Sequence, residues 1–319
     1  MTKGEKREVR KGIGRISRFA MIYTIIFTAT SWAVILGITV ANLAGNPNIG
    51  LEELEAVFYS KSGQYSLAAL AVCAIYVLLV RRKKLFTEDL RHPEPKNLPL
   101  KVFLICFVFL YSFQALTLLG DTVTKWVAGL FGYSVSSTIE SIANTPTTLW
   151  TVLYAAFFAP IMEEVVFRGV VMHRLKKYGK VFAIVTSAFM FGIFHGDLNQ
   201  GLFAFGCGIM FGYVAMEYSI KWSMLLHIVN NLVIADLVGR LLQLFPTDVQ
   251  DTINFILVIG IGGVIGLILL VINRKKILDY MAANRSEKGT VSACWTTPSF
   301  LLFLAMELML MTIAFNKIG

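Results

Sequence analysis

The chain contains a series of apolar stretches, most of them close to the length that an α-helix needs to cross a lipid bilayer. A spanning helix requires about 20 apolar residues, and backbone polar groups in hydrocarbon must be satisfied within the helix itself. The sequence therefore predicts an all-α, polytopic transmembrane bundle of about eight spans. The last apolar stretch, at the C-terminus, would make a ninth. The stretches lie near 18–44, 66–80, 100–120, 148–172, 181–197, 201–219, 222–245, 252–273 and 298–315.

Charge gives these spans an orientation. Only 15% of the 319 residues are charged, whereas soluble domains carry about 25%. The net charge of +9 is unevenly distributed: residues 1–18 and 81–101 hold seven Lys or Arg each. Because positive loops mark the cytoplasmic side, we expect a cytoplasmic N-terminus in an integral, multi-pass membrane protein. The basic surplus then contacts lipid headgroups rather than nucleic acid, and the short loops favour a bacterial or archaeal cell membrane.

The same pattern divides the chain into four parts. Residues 1–17 are expected to form a basic, mobile cytoplasmic tail, and 18–147 the N-terminal spans and loops. The residues with catalytic potential fall in 148–245, and 246–319 holds the C-terminal spans. No internal repeat is evident.

Two adjacent glutamates lie inside the apolar stretch 148–172. Ionisable residues at membrane depth cost a few kcal/mol each and so mark a functional site by default. Glu164 and Arg168 face each other at i and i+4, and each offsets the cost of burying the other. Glu163 points about 100° away, and an unpaired carboxylate in apolar surroundings suits a general base. A buried salt-bridge cluster without chemistry is the alternative.

Two more pairs at i, i+4 spacing occur in later stretches. Phe191 and His195 lie in the next predicted span, where Phe191 is expected to wall a site around His195. His227 and Asn231 follow two spans later, and both can donate hydrogen bonds to an oxyanion. Polar contact between helices is the alternative for this second pair. Each pair alone is weak, but their order on neighbouring spans is more specific.

Helix geometry leaves the depths of these residues unequal. Counting from the cytoplasmic ends at ~1.5 Å per residue places Glu163 ~16 Å, His195 ~22 Å and His227 ~9 Å deep. One site therefore requires tilted helices or helix ends that lie elsewhere. We expect a cavity in the inner half of the bilayer that opens to the cytosol.

The three patterns Glu-Glu-x-x-x-Arg, Phe-x-x-x-His and His-x-x-x-Asn, in this order over 148–235, resemble the CPBP family. These are the CAAX proteases and bacteriocin-processing proteins, also called the Abi family, which include the Ras-converting CAAX prenyl endopeptidase. The resemblance implies an intramembrane glutamate endopeptidase with an eight-helix core. Its substrates would be membrane-associated peptides or lipidated proteins, either prenylated CAAX proteins or bacteriocin and signalling-peptide precursors.

The resemblance also implies roles for individual residues. Glu163 would activate the attacking water, with His195 helping to hold it. His227 and Asn231 would form the oxyanion hole. The supporting residues, which would order the site, are Glu164, Arg168 and Phe191.

Three alternatives stay open. One Glu and two His could ligate Zn²⁺ as in catalytic zinc sites, although the usual His-Glu-x-x-His helix is absent; the resemblance favours a metal-free site without cofactors. A non-catalytic membrane partner of a sensor kinase, or a bacteriocin-immunity protein, is the second. A proton-coupled transporter is the third, because intramembrane carboxylates also serve proton relays, but no pair of broken helices supports it.

Overall fold

The fold is a bundle of helices with one short ribbon, in a computed structural model that describes residues 1–92, 94–135, 147–242, 244–312 and 315–317. Its helices are α1 (Lys3–Gly45), α2 (Leu51–Ser60), α3 (Ser62–Arg81), α4 (Leu100–Leu130), α5 (Leu149–Tyr178), α6 (Lys180–Ile193), α7 (Leu198–Glu217) and α8 (Ile220–Val229). A π-helical turn, Leu85–Asp89, follows α3.

The C-terminal part continues in the same manner. Helix α8 extends through π-helical Asn230–Val238 into a last turn, Gly239–Leu242. Helix α9 consists of Thr247–Phe255, π-helical Ile256–Gly263 and Val264–Ala283. Helices α10 (Thr290–Trp295) and α11 (Pro298–Met311) follow. Strands β1 (Tyr133–Val135) and β2 (Phe315–Lys317) pair antiparallel.

The predicted all-α bundle of membrane-spanning helices is confirmed. In the described part of the chain, six helices are long and apolar enough to cross a membrane, namely α1, α3, α4, α5, α7 and the Thr252–Ala283 part of α9. Two shorter apolar helices, α6 and α11, correspond to the predicted stretches 181–197 and 298–315. The stretch 222–245 corresponds to α8 and its π-helical extension.

The N-terminal residues are helical, so the expectation of a mobile tail over 1–17 is wrong. Helix α1 begins at Lys3 because Thr2 and Glu5 form a reciprocal capping box. Val9, Ile13 and Ile16 are buried. Their spacing of four and three residues is that of one helix face, so the basic residues cover the other faces of a helix that is packed onto the bundle.

Helix α5 carries the glutamates at the boundary between an α-helical and a π-helical segment. It contains π-helical Leu153–Phe158, α-helical Ala159–Glu163 and π-helical Glu164–Met172 in succession. Pro160 occupies the first turn of the α-helical segment, where its missing N–H interrupts the regular hydrogen-bond ladder. π-helical turns are frequent at functional sites, and here Glu163 ends the α-helical segment while Glu164 begins the second π-helical one.

Helices α6 and α7 form a hairpin that packs very closely. A Cβ atom on Gly192 would lie 2.7 Å from the carbonyl oxygen of Gly201, and a Cβ on Gly201 would lie 2.9 Å from that of Gly192. Both positions therefore require glycine for the backbones to meet. This hairpin forms the wall against which the π-helical half of α5 is buried.

Candidate active site

The buried ion pair predicted on α5 is present. Glu164 Oε1 lies 3.2 Å from Arg168 Nη1, and both side chains are fully buried. Arg168 also donates from Nη2 to the carbonyl oxygen of Gly208 at 3.2 Å. Its guanidinium carbon lies 4.4 Å from the centre of the Phe191 ring, a cation–π contact. The arginine is thus fixed between α5, α6 and α7.

His227 joins the two glutamates. Its Nδ1 lies 3.1 Å from Glu164 Oε1, and its Nε2 lies 3.6 Å from Glu163 Oε2. The imidazole stacks on Phe211 with ring centres 4.3 Å apart. Because an ionised carboxylate beside Arg168 can only accept a hydrogen bond, we assign the proton to Nδ1. Nε2 is then the nitrogen that faces Glu163.

The two carboxylates have different surroundings. The Glu164 side chain is 0% exposed, whereas that of Glu163 is 16% exposed. The distance of 3.6 Å between Glu163 and His227 is longer than a hydrogen bond. The expectation that helix geometry separates the environments of these neighbours therefore agrees with the structure. Glu163 is the carboxylate with access to a small molecule.

His195 lies two residues beyond the end of α6, in a turn rather than within the predicted span. Its Nδ1 is 2.8 Å from the carbonyl oxygen of Phe191, which can only accept, so Nδ1 carries the proton and Nε2 is free to accept. The His195 ring meets the edge of Phe191 at 4.8 Å, and His227 meets the same ring at 5.8 Å. Phe191 therefore contacts both histidines.

Asn231 makes its contacts elsewhere on α5. Its Nδ2 donates to the carbonyl oxygen of Ala155 at 2.8 Å, about two helical turns before Glu163. Its Oδ1 accepts a hydrogen bond from Asn230 at 3.0 Å. One N–H of the Asn231 amide is therefore committed to the backbone of α5, and the second is available for another acceptor.

Ser223 is a site residue that sequence reasoning missed. Its hydroxyl lies 2.5 Å from Glu164 Oε2 and 3.0 Å from the carbonyl oxygen of Phe211. Ser223 precedes His227 by four residues on α8, so both side chains lie on the face toward α5. The pattern Ser-x-x-x-His was a usable signal. Asn230, the neighbour of Asn231, holds the Asn231 amide through its own side chain.

The zinc alternative would use Glu163, His195 and His227 as ligands. In the part of the chain that the structure describes, no three His, Cys, Asp or Glu side chains are grouped as a metal site. Zinc bound by Glu163, His195 and His227 would need these side chains to approach one another. Such a site would also compete with the contact between His227 and Glu164.

Comparison with known proteins identifies the same region of the chain. Residues 145–233 match a family model described as "Type II CAAX prenyl endopeptidase Rce1-like". A Bacillus subtilis (strain 168) protein named "Putative membrane peptidase YdiL" is 25% identical over 179 residues, which cover 53% of this chain and 69% of that protein. Over this region the chain is therefore similar to the CAAX proteases. No solved structure gives a significant match. The matched region includes the contacts described above, from Ala155 on α5 to Asn231 beyond α8.

Proposed function

We propose that this membrane protease is an intramembrane endopeptidase that uses water activated by Glu163. The observation that carries the proposal is the unequal environment of the adjacent carboxylates. Glu164 is enclosed by Arg168, Ser223 and His227, whereas Glu163 is partly exposed. A general base must accept a proton from a mobile water molecule, which an enclosed, ion-paired carboxylate does not do well.

In the first step, Glu163 removes a proton from a water molecule as the water oxygen bonds to the carbonyl carbon of the scissile peptide. The Nε2 lone pair of His195 accepts a hydrogen bond from the O–H that the water keeps, which holds the oxygen in place. This assignment is supported by the Nδ1 proton of His195, which is directed to the carbonyl of Phe191. Because the water and the base are held beside each other, the proton transfer becomes effectively unimolecular.

The carbonyl π electrons move to oxygen in this step, and the oxyanion requires hydrogen-bond donors. His227 supplies one from Nε2 only if that nitrogen also carries a proton. The imidazolium would then lie between Glu164 on Nδ1 and Glu163 on Nε2, as the two contacts of 3.1 Å and 3.6 Å suggest. The second N–H of the Asn231 amide would be the other donor.

In the second step the oxyanion collapses and the C–N bond breaks. Glu163 returns the proton to the leaving nitrogen, and the products are a carboxylic acid and an amine. Glu164, Arg168 and Phe191 act through the residues they hold. The cycle regenerates the Glu163 carboxylate and needs no metal or organic cofactor.

The proposed substrate class is supported by the similarity to CAAX prenyl endopeptidases and by the membrane-spanning helices. We propose a membrane-associated peptide or lipidated protein, either a prenylated CAAX-type protein or a precursor of a bacteriocin or signalling peptide. The protein would reside in a bacterial or archaeal cell membrane with its N-terminus in the cytoplasm. No nucleic-acid partner is proposed.

The decisive experiment compares wild-type protein with Glu163→Gln in cells and after purification. Mass spectrometry of the cells should reveal precursor peptides that accumulate with the variant, and these peptides then serve as substrates in vitro. We expect cleavage to fall by about 10³-fold, within the range for general base catalysis. Full activity of Glu163→Gln would overturn the base assignment, and a biological phenotype that survives it would indicate a non-catalytic partner.

The zinc alternative is tested on the same preparation. Metal analysis of the purified wild-type protein should give less than stoichiometric zinc, and activity should survive a zinc chelator. Loss of activity that added Zn²⁺ restores would establish a metalloprotease instead.

A further inference from the structure

A strongly basic cavity lies where α1 meets the start of α11. It has a volume of about 430 Å³. Helix α11 contributes Thr297, Pro298 and Ser299, and α1 contributes only glycine and cationic residues. The cationic residues are Arg7, Arg10, Lys11, Arg15 and Arg18. In the described structure no acidic residue lines this cavity. We call the cavity the basic pocket.

Most of this charge is uncompensated. Lys11 forms an exposed salt bridge with Glu8. The side-chain partners that the structure gives to arginines of the basic pocket are neutral hydroxyl groups. Arg10 donates to the hydroxyl of Thr296 at 2.8 Å, and Arg18 donates to the hydroxyl of Ser299 at 2.9 Å. These contacts position two guanidinium groups without cancelling their charge. Arginine in such a fixed geometry is well suited to phosphate.

The floor of the basic pocket is a glycine. A Cβ atom on Gly14 would lie 3.4 Å from Arg18 Nη1 and 3.6 Å from Ser299 Oγ. Any larger side chain at this position would therefore extend into the space between the arginines. The stripe of Arg7, Arg10, Gly14 and Arg18 follows the three- and four-residue spacing of one helix face, so the gap at Gly14 is surrounded by positive charge.

The start of α11 adds a further preference for anions. Thr297 is its N-cap residue, but the hydroxyl donates to the carbonyl oxygen of Ala293 instead of capping the first turn. The helix dipole favours negative charge at a helix N-terminus, although here Pro298 has no N–H and the N–H groups of Phe300 and Leu301 bond to the Thr297 carbonyl. This 14-residue helix therefore points its positive end into a cavity that is already cationic.

The position of the basic pocket in the membrane indicates which anion it would meet. The apolar runs of α1 and α11 begin at Phe19 and Phe300, immediately beyond the cationic residues. On the faces that continue from the pocket, Ile22 and Ile25 of α1 and Leu302 of α11 are 40%, 49% and 57% exposed. Phosphate at the headgroup level and acyl chains along these apolar residues would match this arrangement.

We propose that the basic pocket binds the phosphate of an anionic phospholipid. The guanidinium groups of Arg10 and Arg18 contact the phosphate above Gly14, and the acyl chains lie along α1 and α11. Lipid bound here would hold the N-terminal turns of α1 against α11. This function is independent of the proposed peptidase chemistry.

The test is native mass spectrometry of the purified full chain with phosphatidylglycerol or phosphatidylcholine of the same acyl chains. The double variant Arg10→Gln/Arg18→Gln should bind phosphatidylglycerol on the order of tenfold more weakly and bind phosphatidylcholine unchanged. The matched control, Lys275→Gln/Lys276→Gln, removes two exposed charges from α9 and should bind phosphatidylglycerol nearly as the wild type does. Equal losses in both double variants would reduce the effect to general surface charge and overturn the proposal.

A second variant fills the basic pocket without changing its charge. Gly14→Leu should weaken phosphatidylglycerol binding as the double arginine variant does, and unchanged binding would contradict the assigned position. Millimolar inorganic phosphate should leave the bound lipid in place. Displacement by phosphate in the wild type, absent from the Arg10→Gln/Arg18→Gln variant, would assign the pocket to free phosphate and overturn the lipid proposal.

Discussion

Two arginine–carboxylate pairs are buried in the described part of the chain, and they are built differently. Arg81 and Asp89 form a bidentate pair with contacts of 2.6 and 2.8 Å, which satisfies both carboxylate oxygens. Arg168 and Glu164 share one contact of 3.2 Å. The Glu164 carboxylate also contacts His227 and accepts a hydrogen bond from Ser223. Arg168 Nε has no hydrogen-bond partner in the described structure.

This difference distinguishes a structural pair from a pair that belongs to a site. The Arg81–Asp89 pair is closed, because each group satisfies the other and it joins the end of α3 to the π-helical turn that follows. The Arg168–Glu164 pair is open, because its carboxylate also sets the tautomer of His227. Burial alone does not separate the two cases, whereas the number and kind of additional partners does.

The largest effect should come from breaking the open pair with Glu164→Gln. The change leaves Arg168 buried without a counter-charge, which costs about 3–5 kcal/mol of stability. It also replaces the charged acceptor that orients His227 with a neutral amide, so cleavage per folded molecule should fall by about 10³-fold. Thermal unfolding in detergent and cleavage of the identified peptide measure the two effects separately.

A double variant separates charge burial from chemistry. Glu164→Gln/Arg168→Met should recover part of the lost stability, because no unpaired charge is left, but it should recover no activity. If the double variant cleaves peptide at the wild-type rate, the pair serves only the fold.

Breaking the closed pair with Asp89→Asn should affect stability alone. We expect a similar loss of about 3–5 kcal/mol, since Arg81 is left buried without its carboxylate. Cleavage per folded molecule should stay within about twofold of wild type, a change worth less than 0.5 kcal/mol. A loss of turnover comparable to that of Glu164→Gln would show that the two pairs do not differ in the way their contacts indicate.

The open pair was largely predictable from the sequence, but its partners were not. The i, i+4 spacing of Glu164 and Arg168 fixes their contact whatever the rest of the fold does. Ser223 was missed because a serine in an apolar helix is common, and nothing in a single sequence states which neighbouring helix its face meets. Contacts between helices depend on packing that spacing along one helix does not specify.

The unequal depths expected for the site residues also have a physical explanation. Helix α5 continues to Tyr178 rather than ending near 172. Glu163 therefore lies 16 residues before Gly179 and His195, just beyond the end of α6, lies 16 residues after it, so both are ~24 Å from this turn. Helix α8 begins inside the bundle, because Ile220 Cδ1 lies 3.5 Å from the Cβ position of Gly169. His227 therefore reaches the level of Glu163 after only two turns. Hydropathy locates apolar runs but not the ends of helices that begin below the surface.

Ser223→Ala tests how far the open pair depends on its neutral partner. Glu164 loses a hydrogen bond to a charged group and keeps Arg168 and His227, so activity should fall about tenfold, equivalent to about 1.4 kcal/mol. Because Ser223 acts through Glu164, the loss should appear in kcat rather than in KM. Ser223→Thr keeps the hydroxyl and should retain more activity than Ser223→Ala; equal losses would assign the effect to packing.

The smallest effect should come from Gly208→Ala, which disturbs the open pair only through the arginine. The new Cβ would lie 3.2 Å from Arg168 Nη2 and 3.0 Å from Ala188, so α6 and α7 must separate slightly at a cost of about 1 kcal/mol. Gly212→Ala is the matched control, because its Cβ would meet Ile184 of α6 at 3.1 Å without approaching the arginine. Both variants should lose similar stability in thermal unfolding, but only Gly208→Ala should lower turnover, by severalfold. Equal turnover in the two variants would mean that the contact between Arg168 and the carbonyl of Gly208 holds the helices together without positioning Glu164.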